Sequence, residues 1–356
     1  SRRRHTKFRN VTGVQTCALP ISEALLGTLY PHYLAPIPSM AVVQFDADLE
    51  QGQLTTGFTI PSGSALFTRE IDGLPCRFRT AYPVKLWPIE LSDARFQTAP
   101  FGSDIRPPSR SAHAPALIRL ELRTASNTSF PELKLDQLRF FLSGDEPTVH
   151  ALYELLFNHV TEVLVRPKSA TKSKGIVLPA SCLRPVGFSP DEGLLSYGHQ
   201  SFLGYRLLTE YFAFPQKFLF FDLTGLDATS AEEFRNECEV FIFLNQSANN
   251  LANRVSAETF RLGCSPIINL FSQDTDPIRL SQAKHEYQLI PDVRHPHAME
   301  VYSVDAVEST NTETGRTTTY KPFYSFKHGD ERREQTAYWH TSRRQSVRLN
   351  DAGTDV

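Results

Sequence analysis

The sequence predicts an α+β chain rich in β structure, with two or more mixed domains, antiparallel sheets and a few short helices. Three observations predict it. Period-two alternation recurs, most plainly at Ile118–Arg123, where Ile118, Leu120 and Leu122 share one face and Arg119, Glu121 and Arg123 the other. An Asp72-Gly73 pair separates Leu66–Ile71 from Leu74–Arg79, and such a pair adopts the positive φ of a tight hairpin at low cost. Only two segments, near 147–163 and 201–212, carry apolar residues at helical spacing over several turns.

The elements follow in chain order. Leu25, Leu26 and Leu29 suggest a short helix from Glu23, which Pro31, Pro36 and Pro38 stop. From Met40 to about Leu142 the pattern is mainly β. In the 66–79 hairpin the expected register sets Ile71 against Leu74, Arg69 against Cys76 and Phe67 against Phe78, with Glu70 and Arg77 on the opposite face. Asp145, Glu146 and Pro147 open a helix whose apolar positions are Val149, Leu152, Leu156, Val160 and Val163. Strands at Val163–Pro167 and Gly175–Leu178 then flank the basic loop Lys168–Lys174.

Pro185, Gly187, Pro190 and Gly193 mark a loop and a domain boundary near 187. In the helix after it, Phe202, Leu203, Tyr205, Leu207, Leu208, Tyr211 and Phe212 cover most of the circumference, so this helix is expected to be buried with Arg206 and Glu210 as its polar stripe. Phe218–Leu223 and Glu239–Leu244 read as strands covered on both faces, and Ser230 with Glu233 has capping-box spacing for a helix between them. Met299–Val307 and Thr317–Lys321 read as a hairpin around the polar loop Glu308–Arg316. The division expected is 1–22 as a non-native front segment, 23–186 as a β-rich domain, 187–326 as a mixed domain and 327–356 as the start of a truncated further region. The front segment is set aside because Ser1–Asn10 is basic and patternless, while Val11–Ser22 resembles a translated sequencing-adapter artefact.

Charge and cysteine usage narrow the function. With 37 Lys+Arg against 39 Asp+Glu the net charge is −2, which gives no electrostatic reason to bind nucleic acid or an acidic membrane. Five cysteines without a C-x-x-C motif fit a reducing compartment, and no apolar run approaches the ~20 residues of a membrane span. A soluble cytoplasmic protein is expected.

No phosphate loop, dinucleotide glycine fingerprint, nucleophile elbow or H-E-x-x-H helix is present in the sequence. The best metal-like cluster is His295-Pro296-His297 with Asp292 and Arg294, but Pro296 makes it a turn and a third ligand is lacking. Asp46 and Asp48 share a strand face at a spacing too common to indicate acid–base chemistry. Cys264 lacks a neighbouring base and reads as a small buried thiol. The aromatic stretch Tyr211, Phe212, Phe214, Phe218, Phe220 and Phe221 lacks the interleaved Arg and Lys of a base-stacking platform, and reads as core or protein interface. No catalytic, cofactor-binding or metal residue is assigned, and the partner-binding residues are left open.

Whole blocks of the chain resemble one family. YPHYLAPIPSMAVVQF (Tyr30–Phe45), CRFRTAYPVKLWPIEL (Cys76–Leu91), LRFFLSGD (Leu138–Asp145), HALYELLFNH (His150–His159), SFLGYRLLTEYFAFPQKFLFFDLTGL (Ser201–Leu226), TFRLGCSPIINLF (Thr259–Phe271), YQLIPDVRHPHAMEVYSVDAV (Tyr287–Val307) and YKPFYSFKH (Tyr320–His328) resemble, in order, the TssF family, also called VasA or ImpG. The resemblance implies a non-enzymatic wedge of the type VI secretion baseplate without cofactors, working with TssG, TssK, a second TssF copy, TssE and the VgrG hub. It implies a place in the cytoplasm at the inner-membrane-docked baseplate of a Gram-negative bacterium, supporting sheath and tube assembly and effector delivery. It also implies a longer chain, with further segments before Glu23 and after Val356. Two other classes stay open: a secreted or surface carbohydrate-binding β-protein, and an unrecognised hydrolase.

Overall fold

In a computed structural model the described residues are 25–26, 29–30, 33–46, 57–71, 73–125, 128–168, 175–197, 202–281, 283–296, 298–311, 314–323, 338–345 and 354–355. Most of the regular structure is β. The first strands are β1 (Met40–Gln44), β2 (Phe58–Ile60), β3 (Ala65–Ile71), β4 (Leu74–Thr80), β5 (Val84–Leu86), β6 (Ile89–Thr98), β7 (Ala116–Thr124) and β8 (Gln137–Leu142). Helix α1 (Glu146–Asn158) follows, then β9 (Val160–Pro167), β10 (Ile176–Pro179), β11 (Leu183–Pro185) and helix α2 (Leu203–Ala213). Next come β12 (Phe220–Thr224), β13 (Glu237–Leu244), β14 (Phe260–Arg261) and β15 (Cys264–Ile268), and later β16 (Val307–Thr310), β17 (Thr317–Pro322) and β18 (Tyr338–Trp339). No helix among the described residues is long and apolar enough to cross a membrane.

The chain divides into two compact units, one of Ser39–Leu195 with Leu203–Asn269, the other of Ser1–Pro38, Ser196–Phe202 and Leu270–Val356. In the first unit, three larger antiparallel sheets run β1-β15-β4-β3, β10-β9-β13-β7-β6 and β11-β12-β8-β14, and β2 pairs with β5 in a further two-stranded one. The core lies between the last two. Ile118, Leu120, Leu122, Val163, Val165, Val240 and Ile242 come from the five-stranded sheet, and Leu138, Phe140, Leu142, Phe221, Leu223 and Phe260 from the four-stranded one. Helix α1 closes the core with Val149, Leu152, Leu155 and Leu156. Successive side chains of a strand point to opposite faces, so Phe241 and Phe243 face away from this core. There Leu117, Leu164, Ile105 and Ala114 cover them. Phe220 likewise leaves the core to pack with Tyr82, Val186 and Cys264. Those two layers explain why β12 and β13 read as uninterrupted apolar runs.

Four expectations shift. The capping Asp145 accepts from Thr148 as anticipated, but α1 ends at Asn158, and Val160 and Val163 belong to β9. A β-branched run that pairs along its length with β13 outweighs helical spacing. The 66–79 hairpin keeps Ile71 opposite Leu74, but a bulge between Phe67 and Glu70 sets Phe67 against Arg77 and Leu66 against Phe78. The Thr68 hydroxyl holds that bulge, accepting from the Cys76 amide at 2.9 Å and donating to the Arg69 carbonyl at 2.7 Å. Asp72 lies outside the described residues, and Gly73 has φ +84°.

β12 and β13 enter different sheets, joined by a 3-10 turn at Leu226–Ser230, so the helix expected from Ser230 and Glu233 is absent there. The Ser230 hydroxyl donates to the Asp227 carbonyl within that turn instead of capping a helix. In the second unit the late hairpin forms between β16 and β17, with Glu308 opposite Thr319 inside the ladder and no strand over 299–306. Its third strand, β18, runs parallel to β17. Beside it the Arg343 guanidinium donates to the Val301 and Tyr302 carbonyls at 2.7 and 2.9 Å.

Candidate functional site

Helix α2 departs most from the sequence reading, because it is set with its charges inward. Arg206 is 5% exposed and Glu210 0%, whereas Leu208 is 57% exposed, Tyr211 53% and Phe212 81%. The expectation of a buried helix over 201–212 with a polar stripe at the surface is therefore inverted. Burial of aliphatic side chains normally decides which face turns inward. Here a buried polar cluster decides it.

The Glu210 carboxylate lies under the loop that ends at Leu195. One oxygen accepts from the amides of Leu194 and Leu195 at 2.8 and 2.9 Å, and the other accepts from the Lys217 ammonium. Lys217 is fully buried and also donates to the Glu192 carbonyl at 3.0 Å. The Arg206 guanidinium donates to the carbonyls of Pro190 and Ser189 at 2.8 and 2.9 Å. In the same loop the Glu192 carboxylate accepts from the amides of Gly187 and Ser189. Gly187 fits because its φ of +108° and its approach to the Lys217 carbonyl leave no room for a side chain. Tyr82 closes the cluster by donating to the Lys217 carbonyl, and Arg139 stacks over the Tyr82 ring while forming a bidentate pair with Asp222.

The electrostatics follow from burial. Desolvation pulls Lys217 below the ordinary lysine range against the opposing pull of Glu210. Desolvation also pushes the Tyr82 hydroxyl well above the ordinary tyrosine range, with Glu192 and Glu210 adding to it. Shifts of this kind also occur at catalytic sites. The polar atoms named here point at backbone groups and at each other, so the cluster acts as a fastening between α2 and the loop before it.

A second polar array lies on the outer face of the five-stranded sheet. Register sets Glu239 of β13 between Arg166 of β9 and Glu121 of β7. Two carboxylates directly opposite would repel. Arg119 bridges them, 2.8 Å from Glu121 and hydrogen-bonded to Glu239, while Lys168 reaches Glu121 at 2.8 Å. Burial alone would lower Arg119, but Glu239 and Glu121 hold it above its ordinary value. This is an ion-pair ladder joining three strands.

The residues singled out in the sequence are scattered. Cys264 is buried in β15 and desolvation pushes its thiol up to about 11, which disfavours the thiolate a nucleophile needs. Cys76, Cys182 and Cys238 are likewise free thiols. Asp46 is exposed just after β1, and Asp48 lies outside the described residues. Asp292 accepts from the Arg294 amide and meets His295 Nδ1 at 3.1 Å in an exposed turn, where the hydrogen bond with His295 lowers the Asp292 carboxyl. His297 lies outside the described residues, and among those residues no group of three or more His, Cys, Asp or Glu side chains is placed to hold a metal ion. Of the aromatic stretch, Phe218, Phe220 and Phe221 are buried while Tyr211 and Phe212 are exposed. The core part of the reading holds for Phe218, Phe220 and Phe221.

Comparison with known proteins gives one family. The family model described as "Type VI secretion system, TssF" matches residues 19–356. Type VI secretion system component TssF1 of Pseudomonas aeruginosa is 35% identical over 326 residues, covering 91% of this chain and 52% of that protein. Among solved structures, a chain of the TssK-TssF-TssG baseplate subcomplex, determined by cryo-electron microscopy, superposes with a TM-score of 0.76 at 27% identity, covering 94% of this chain and 60% of that one. The chain thus spans about half the length of the curated relative it matches. The agreement of the family model, the relative and the fold over nearly the whole sequence shows that the chain belongs to the TssF family of the type VI secretion system.

Proposed function

We propose that this chain is a structural component of a type VI secretion baseplate and works through protein contacts, without catalysis. The observation that carries the reading is the likeness, over 94% of this chain, to a chain within a three-protein baseplate subcomplex. The architecture supports it. Ion pairs fasten three strands of the five-stranded sheet to one another and a buried polar cluster fastens α2 to the loop before it, as suits a wedge that works through fixed geometry more than through a reactive pocket.

TssG and TssK are the partners that reading supplies, by analogy with the solved subcomplex. A second TssF copy, TssE and the VgrG hub are further contacts in the same proposal, as is a position on the cytoplasmic side of the inner membrane. The test is genetic. Deleting the gene should abolish fluorescent sheath assembly and restoring it should return sheaths, whereas normal assembly and firing in the deletion strain would end the reading.

A further inference from the structure

Among the described residues four carboxylates are buried, and three of them meet a cationic side chain. Glu210 pairs with Lys217, Asp222 with Arg139 at 2.7 Å and Glu239 with Arg166 at 2.8 Å. Glu162 of β9 is the exception. It is 9% exposed, forms no ion pair with a described residue, and accepts one hydrogen bond, from the Ser111 hydroxyl at 3.0 Å. A buried charge is costly to leave unpaired, and where no cationic side chain answers it a bound cation does.

The atoms beside Glu162 suit that role. Phe243 of β13 stands opposite Glu162 and Leu244 opposite Val160, so Thr161 is the extra residue of a bulge in β9. Neighbours in a regular strand point to opposite faces, but here Thr161 and Glu162 meet the same hydroxyl. Ser111 Oγ lies 2.8 Å from Thr161 Oγ1, which lies 3.2 Å from the Phe243 carbonyl oxygen. The carboxylate, the two hydroxyls and the carbonyl thus form a chain of three oxygen contacts, while each hydroxyl brings a single proton. One contact has no hydrogen to share. A positive ion among these oxygens removes the conflict, because hydroxyls and carbonyls coordinate through their lone pairs.

We propose that Glu162, Ser111, Thr161 and the Phe243 carbonyl hold a hard divalent cation. Every ligand is oxygen, and no imidazole or thiol hydrogen-bonds to any of them, which argues against the softer metals that select nitrogen and sulfur. One carboxylate with hydroxyl and carbonyl oxygens suits calcium, or magnesium where water completes the shell, and the single negative charge sets a weak affinity of about 10⁻⁴–10⁻³ M. The ion ties the segment between β6 and β7 to the sheet. Ser111 belongs to that segment, as do Ile105 and Ala114, which cover Phe241 and Phe243.

The test is thermal unfolding of the protein at the length its gene encodes, first freed of metal with a chelator. Calcium or magnesium chloride is then added at about 10 mM, tenfold or more above the expected dissociation constant, with sodium chloride at matched ionic strength as the control. At least one divalent ion should raise the midpoint by roughly 3–6 °C, and comparing the two salts identifies which ion the site takes. Glu162→Gln should abolish the shift. Without divalent ions the same variant should melt at or above the parent, because it no longer buries an unpaired charge. No shift in the parent, an equal shift from sodium chloride, or an equal divalent shift in the variant overturns the proposal. So does a variant that is unfolded or melts well below the metal-free parent, since the protein alone would then satisfy the carboxylate.

Discussion

Glu210 and Lys217 form an ion pair that no solvent reaches, with both side chains 0% exposed. Each has further partners: two backbone amides for the carboxylate and the Glu192 carbonyl for the ammonium. Removing either member leaves a buried charge unpaired, a change that costs about 3–5 kcal/mol. Glu210→Ala and Lys217→Met should each lower the urea midpoint accordingly. A loss below about 1 kcal/mol, the scale of surface pairs, would show that the pair is solvated and does not fix α2.

The opposite face of the same helix should tolerate charge. Leu208→Asp places a carboxylate at a position 57% exposed, so the isolated protein should stay soluble and melt within a few degrees of the parent. Exposed substitutions of this kind stay within about 0.5 kcal/mol. Aggregation or loss of the cooperative melt would place Leu208 in the core after all.

Leu120 is fully buried at the centre of β7, between partners on β6 and β13. Leu120→Ala should cost about 2–5 kcal/mol through lost burial and the cavity left behind. A guanidinium titration of the variant checks it, and a change under about 1 kcal/mol would mean that the two sheets do not close over this position.

The sheet-face ladder should shape the pH dependence of stability. Burial would raise Glu121, but the hydrogen bond from Lys168 and the charge of Arg119 hold it below its ordinary value of 4.5. A depressed carboxyl contributes stability that is complete above the ordinary value and lost as pH falls through the lower folded one. Lys168 is raised above 10.5, chiefly by its hydrogen bond to Glu121, so its contribution is complete below 10.5 and lost as pH rises through the folded value. Glu121→Gln should remove the first contribution and reduce the second, since Glu237 still lies 3.7 Å from Lys168, flattening the acid limb of the urea midpoint against pH and shallowing the alkaline one. Identical limbs in parent and variant would mean the ladder contributes nothing.

Much of this fold was legible in the sequence, where one face of an element meets the core and the other does not. The alternation at Ile118–Arg123 translates directly into β7, with Ile118, Leu120 and Leu122 inside. The capped start of α1 was equally plain, since Asp145 and Pro147 act locally. What stayed hidden depends on distant partners. Nothing around Val160 shows that β13 claims it, and Thr68 bends β3 through a hydrogen bond to Cys76 that no spacing rule contains. The inversion of α2 is the clearest case. Arg206 and Glu210 were visible as lone charges on an apolar helix, but the amides of Leu194 and Leu195 and the ammonium of Lys217 that receive them belong to other segments. The blocks resembling the TssF family carried the functional reading, because none of the catalytic motifs sought stands in the sequence.

The central claim is membership in a baseplate assembly, and co-purification tests it most directly. The tagged protein, at the length its own gene encodes, is expressed with TssG and TssK from the same locus and isolated in mild salt, and the complex is weighed by native mass spectrometry. The account predicts a stable complex containing all three proteins. Recovery of this protein alone, with TssG and TssK shown to be folded and soluble, would contradict it.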